Sequence, residues 1–335
     1  MTRQETNMNR QAGKRAFAAK LGVLALGCAM AFGAAAQSWP TKPVKVVVNF
    51  PPGGAADQIA RAITGPLQEA LGQPVVVENK GGAGGNIGGE AVARAAPDGY
   101  TLLMSSGGMV SVNPFIYPKM SFDPIKDLDP VAAAAKVKVF LVTKPGKLPS
   151  DIKSFIAYLK ANPGKLTYGT PGNGSSPHLA AEMFQSQAGV SAVHVPYRGA
   201  APALVDLLAG QIDFSFDPGI AMQHVQSGKL NMLAVGSLTR SPLFPNVPTL
   251  DEAGLKGFDA DTVFGFYAPA GTPKEIVTRL NTEINKIIST PAFRERLVSM
   301  GGDPAPMTPE QFHARAEDDA KRFGAIIRER KIVGD

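Results

Sequence analysis

The chain has 335 residues, 44% apolar and 19% charged, a globular balance that excludes wholesale disorder and leaves room for two domains of ordinary size. Its formal charge of +6 is unevenly placed: residues 1–36 hold five basic side chains against Glu5, while the other 299 carry 29 basic and 27 acidic ones. The folded part therefore lacks the positive excess of a nucleic-acid binder.

The first 36 residues read as a secretory signal. A basic stretch ends at Lys20, and sixteen uncharged residues follow, from Leu21 to Ala36, closing on Ala34-Ala35-Ala36. Cleavage is expected before Gln37. At 1.5 Å per residue the apolar run is short for a bilayer core; a retained anchor is the alternative. The one cysteine, Cys28, lies inside this run. The mature chain would then have no disulfide, thiolate nucleophile or cysteine metal site. Ala25-Leu26-Gly27 before it is a poor lipoprotein signal, and lipidation of Cys28 stays open. The expectation is an exported, periplasmic protein, soluble once processed.

Strands and helices alternate after that. Val44–Phe50 is a β-branched run of the buried parallel type, broken by Pro51-Pro52-Gly53-Gly54. A helix starts near Ala55. Val75–Glu78 reads as a strand, and the glycine-rich stretch 81–89 leads into a helix through Ala96. Tyr100–Met104 is a third strand, ending at Ser105-Ser106-Gly107-Gly108. A second set begins near residue 144. Ser150 is the expected cap of a helix running to Asn162. Leu166–Gly169 is a strand, 170–176 a turn-rich loop, and Pro177 suits the first turn of a helix. Pro202–Leu208 is helical and closed by Gly210. Gln211–Asp217 alternates as a strand with Ile212, Phe214 and Phe216 on one face. Val263–Ala268 is strand-like, and helices follow at 274–289, 291–300 and 309–330. In the last, Phe312, Ala316, Ala320, Phe323 and Ile327 share a face. This rhythm marks a doubly wound α/β fold.

Catalytic signatures are missing. The sequence has no P-loop, and its glycines never satisfy Gly-x-Gly-x-x-Gly, so no nucleotide cofactor is expected. His178, His194, His224 and His313 form no tight metal pair, and no metal is expected. Ser175, Ser176, His178 and Asp217 are the residue types of nucleophilic catalysis, but Gly174-Ser175-Ser176-Pro177-His178 is not a nucleophile elbow, and its serines sit where a helix cap belongs. Four loops at strand ends, 50–57, 81–89, 105–108 and 170–176, are rich in Gly and Ser. Open α/β sheets bind ligands there. Helix N-termini hold a carboxylate without Lys or Arg, glycine lets the backbone approach, and serine hydroxyls donate.

The run Trp39 to Asp57 resembles the opening of the Bug proteins, periplasmic solute receptors of tripartite tricarboxylate transporters. So do Val77–Asn86, Ala96–Leu102, His194–Gly199, Pro202–Gln211 and Phe264–Pro273. The likeness runs in order through the mature chain. It implies a type II periplasmic-binding-protein fold, two doubly wound lobes joined by two crossing strands near 138–143 and 258–264. Lobe one would be 37–140 with 260–335, and lobe two 141–259. The ligand would lie between them. Carried over residue by residue, the resemblance points to Phe50, Pro51, Gly53, Gly54 and Asp57, and to Thr170, Gly172, Ser175 and Ser176. Ser105 and Ser106 would line the floor, and His178, Tyr197, Asp217 and Phe264 stand beside matched motifs. Asp57 is placed equally by contact with the ligand and by bracing its own helix. Arg198 is read as a surface cation; facing the pocket, it would favour a dianion. The implied function is a non-enzymatic, monomeric receptor for a small carboxylic, amino or aromatic acid, with transporter components as membrane partners. A sensor for a membrane signalling partner and a serine hydrolase using Ser175 with His178 are the alternatives.

Overall fold

A computed structural model describes residues 39–334. The expected signal segment, its cleavage position and Cys28 lie outside the described residues. Among these no helix is long and apolar enough to cross a membrane.

Two sheets organise the chain. The first has the order β11-β4-β10-β3-β1-β2. Its parallel part is β1 (Val44–Val48) between β2 (Val75–Asn79) and β3 (Thr101–Ser106). Val44 and Val46–Val48 are buried and Lys45 is exposed, as a strand covered on both faces requires. β10 (Thr262–Pro269) runs antiparallel to β3 and to β4 (Leu128–Val137), and β11 (Gly302–Pro304) closes the edge. The second sheet has the order β7-β6-β8-β5-β9. β6 (Thr167–Thr170) is parallel to β7 (Val193–Pro196) and β8 (Phe214–Asp217). β5 (Phe140–Thr143) runs antiparallel to β8 and β9 (Asn231–Val235). The chain passes to the second sheet at Lys138-Val139 and returns through Phe258–Asp261. Two α/β lobes result.

Helices α1 (Ala55–Leu71) and α2 (Asn86–Ala93) cover the first sheet, with short turns α3 (Gly108–Ser111) and α4 (Asn113–Ile116) beyond β3. The second sheet carries α5 (Ile152–Ala161), α6 (Ser176–Ala188), α7 (Ala200–Ala209) and α8 (Met222–Gln226). The chain ends with α9 (Lys274–Ile288), α10 (Pro291–Ser299) and α11 (Pro309–Arg330). Local chemistry sets most boundaries. α11 opens on a capping box between Thr308 and Gln311 with Pro309 in its first turn. α5 is capped by Asp151 rather than Ser150, because the extended Asp151 carboxylate accepts the Ser154 N–H. α2 ends at Ala93 and not Ala96, since Ala96 precedes Pro97 and is pushed out of the helical region. The β8 ladder starts at Phe214 rather than Gln211, whose N–H instead bonds the Asp206 carbonyl at the end of α7.

The core behind the second sheet is aromatic. Phe155 meets Phe214 edge-on at 5.4 Å, and Tyr168 stacks on Phe214 at 5.5 Å. Phe323, Ile326 and Ile327 of α11 join this core, whereas Phe312 and Ala316 of the same helix pack with Leu103, Val263 and Tyr267 behind the first sheet. One helix thus fastens both lobes.

Candidate functional site

Three helices point their N-termini at one cavity of about 240 Å³ between the lobes. Gly54 caps α1 and Gly199 caps α7, both without a side-chain bond, while Ser175 caps α6. Gly54 to Ala56, Ser175 and Ser176, and Gly199 to Ala201 all line the space. The first amides of each helix have no intrahelical acceptor, and their dipoles add, so the cavity is an anion site in physical terms. Its walls are Phe50, Phe264 and six prolines, Pro51, Pro52, Pro171, Pro177, Pro202 and Pro218. Proline offers no N–H, so the backbone donors of the lining are concentrated at the helix ends. A larger space of about 650 Å³ adjoins it, bounded by the glycine arch 81–85, Asn49, Asn113 and the loop 171–176.

The structure sorts the expected residues into two sets. Phe50, Pro51, Gly54, Ser106, Ser175, Ser176 and Phe264 line the smaller cavity, and Gly172 and Tyr197 the larger. Ser106 and Ser176 spend no hydroxyl bond on described residues, which leaves both free to donate. The others brace the lining from behind. Ser105 is fully buried, accepting from Asn49 Nδ2 at 2.9 Å and donating to the Ser106 carbonyl at 2.8 Å. Thr170 is buried against His194 Nε2 at 2.6 Å. The Tyr197 hydroxyl donates to Asp206 at 2.7 Å, and burial with that carboxylate raises its pKa to about 12.

Asp57 is a brace too. It accepts from the Gly53 N–H at 3.0 Å, from Asn79 Nδ2 at 2.9 Å and from Arg61 Nε at 3.0 Å. Burial pushes its carboxyl up, but the bonds from Arg61, Gly53 and Asn79 outweigh burial and hold it below its ordinary range. Gly53 has φ +82°, so the turn into α1 depends on this anchor and on glycine. Asp57→Ala removes the acceptor shared by the Gly53, Asn79 and Arg61 donors and should cost about 1–3 kcal/mol of stability. Urea denaturation measures it; a loss under about 0.5 kcal/mol would mean the turn holds itself.

Ser175, His178 and Asp217 do not form a relay. Ser175 Oγ donates to the Gly172 carbonyl at 2.7 Å and accepts the His178 backbone N–H at 3.4 Å, which is a helix cap. His178 Nδ1 accepts the Gly174 N–H at 3.0 Å, and its ring stacks on His194 at 4.0 Å. Asp217 holds the Gly219 and Ala221 amides at 2.8 and 2.9 Å, and burial pushes its carboxyl up to about 6.

The sequence reading named Pro51 but not the other five prolines of the walls, and it read Arg198 as a surface cation, which is exposed here. Arg198 lines both spaces. Among the described residues no group of His, Cys, Asp and Glu could hold a metal.

The family model for the tripartite tricarboxylate transporter family receptor matches residues 59–332. BugT of Bordetella pertussis is 38% identical over 314 residues, covering 93% of this chain and 96% of BugT. A protein of R. palustris solved with adipate is 33% identical, with a TM-score of 0.84 over 88% of this chain and 99% of that one. MatC from Rhodopseudomonas palustris, solved with bound malate, is 33% identical, with a TM-score of 0.80 over 86% of this chain and 100% of MatC. With the family match and the two-lobed fold in agreement, the chain belongs to the Bug or TctC family of periplasmic solute-binding receptors.

Proposed function

We propose that this protein is exported through its N-terminal signal, takes a small carboxylate between its lobes and presents it to the membrane components of a tripartite tricarboxylate transporter. The observation that carries this reading is the convergence of three helix N-termini on a cavity whose lining holds no acidic side chain. The carboxylate exchanges water for amides and the free hydroxyls of Ser106 and Ser176, which offsets its desolvation. A ligand touching both lobes binds the closed arrangement better and shifts the population toward it. No bond of the ligand is broken. Adipate and malate in two family neighbours support a carboxylate here as well.

Thermal melts of the mature receptor with mono- and dicarboxylates, amino acids and nicotinate-like acids test the reading. An acid present at 100 times its Kd should stabilise by about 2.7 kcal/mol and raise the midpoint by several degrees. Ser176→Ala should weaken that acid roughly tenfold or more, the worth of a hydrogen bond to a charged group. A set in which only neutral or cationic solutes move the midpoint would refute a carboxylate receptor.

A further inference from the structure

We propose that Arg330, on the last helix and lining neither space, is a positioning residue for ligand binding: by engaging Glu182 it keeps that carboxylate from drawing a second proton onto His178, and so keeps the loop 172–176 anchored in acid. Its effect on the ligand rests on the carboxylate-receptor reading; its effect on the loop does not.

A chain of contacts leads from α11 to the loop. Arg330 Nε donates to Glu182 Oε2 on α6 at 2.7 Å. Glu182 Oε1 accepts from the Tyr168 hydroxyl at 2.5 Å and from Gln185 Nε2 at 3.0 Å. His178 stands one turn earlier on α6, with Nε2 at 3.9 Å from the same Oε1. Its other nitrogen, Nδ1, accepts the Gly174 N–H at 3.0 Å, and residues 172–176 line the larger space. The His178 ring lies flat on His194 at 4.0 Å, and His194 on Tyr168 at 4.9 Å. Tyr168, His194, His178 and Glu182 thus close a ring of side chains, and Arg330 is attached to it from outside.

One carboxylate in this ring can be matched by either of two cations. Glu182 faces His178 from its own helix and His194 faces it from β7; Tyr168 on β6 and Arg330 on α11 act on it through Glu182. The Glu182 side chain is only 12% exposed, so its charge needs a partner. Arg330 is 34% exposed and permanently charged, so it serves at little desolvation cost. Burial pushes the Glu182 carboxyl up, but the bonds from Tyr168 and Arg330 outweigh burial and hold it below its ordinary range. With the guanidinium gone, the group beside Glu182 that can become a cation is His178. A neutral ring that accepts at Nδ1 carries its proton on Nε2, the side of Glu182. The second proton must therefore enter at Nδ1, where it displaces the Gly174 N–H and frees the loop.

Imidazole and amide NMR on the ligand-free mature receptor tests this. The chain has four histidines, and His178→Gln identifies the relevant signal by its loss. The wild-type His178 signal should hold from pH 7.5 to 5. In Arg330→Gln its midpoint should rise by about two pH units, and the Gly174 amide should shift at the same midpoint. Arg330→Lys should restore most of the wild-type curve. Glu329→Ala, which breaks the neighbouring bond from Ser186 Oγ and leaves Glu182 alone, should not move it. Calorimetry with adipate and with malate then compares Arg330→Gln with wild type at each pH, so that protonation of the acid cancels. The ratio of affinities should lie within about twofold of one at pH 7.5 and show about a tenfold loss at pH 5. A midpoint that moves less than about half a pH unit in Arg330→Gln, or as far in Glu329→Ala, overturns the inference, as does a raised midpoint with an unchanged affinity ratio. Failure of both acids to bind the wild type counts against the carboxylate reading alone, and the two NMR curves still decide the role of Arg330.

Discussion

A methyl group on Gly219 should weaken ligand binding on the order of a hundredfold without touching the ligand. Gly219 follows β8 in the second lobe, at φ +101°. A Cβ built there falls 1.9 Å from the carbonyl oxygen of Met300, at the end of α10 in the first lobe. The obstacle is backbone, so no rotamer change relieves it. The loop cannot swing aside either, because Asp217 holds the Gly219 N–H at 2.8 Å and the Ala221 N–H at 2.9 Å. Separation of the two lobes at this point is the remaining way out. If the binding-competent fraction falls to about 1%, apparent affinity falls by about a hundredfold. Gly228→Ala is the control, since Gly228 has φ +73° and open space around its Cβ position. It carries the conformational strain without the collision. Titration calorimetry should find Gly219→Ala crippled and Gly228→Ala close to wild type, and small-angle scattering should find Gly219→Ala more extended with ligand present. Wild-type affinity in Gly219→Ala would mean that this contact does not govern closure.

The elements that the sequence disclosed are those whose signals are local. α11 is framed by Thr308, Pro309 and Gln311 and carries its apolar face at helical spacing, so its bounds are readable without a fold. That this face changes partner halfway, with Phe312 and Ala316 in one core and Phe323 and Ile327 in the other, is a property of the tertiary structure alone. β4 escaped notice because Val131-Ala-Ala-Ala-Ala135 has helix-forming composition; burial between β10 and β11 makes it a strand. β7 is short and half-exposed, and has too little pattern to register. At the site, residue types were legible and directions were not. Ser105 and Ser106 are neighbours on one strand and so face opposite ways: one is locked to Asn49, the other borders the cavity. The same limit left Arg198 open between surface and cleft, because an exposed arginine in a turn looks alike whether a cleft lies beside it or not.

Acidification should destabilise the receptor through His178, between pH 6.5 and 4, by about 3 kcal/mol in total. Burial lowers the pKa of this imidazole, the nearby His194 lowers it further, and Glu182, with Oε1 at 3.9 Å from Nε2, opposes them; the outcome is about 4 against an ordinary 6.5. Its neutral form has a task, because Nδ1 accepts the Gly174 N–H and a protonated Nδ1 cannot. Glu182 adds little rescue: it already accepts from the Tyr168 hydroxyl at 2.5 Å and from Arg330 Nε at 2.7 Å. The sign follows from linkage. Unfolded chains take up the proton near 6.5 and folded ones only near 4, so the unfolded state gains by about 1.4 kcal/mol per pH unit inside that window. Above it the contribution is complete, and below it the loss is constant. Ligand affinity follows a different curve, since the loop 172–176 keeps its anchor until the folded protein itself is protonated, below about pH 4. Denaturant midpoints of wild type and His178→Gln from pH 7.5 to 4 separate this group from the carboxylates, which titrate in both. The wild type should lose stability more steeply than the variant from pH 6.5 downward. Parallel curves would mean that His178 is protonated in the fold as readily as in the open chain, and that the Gly174 amide does not depend on it.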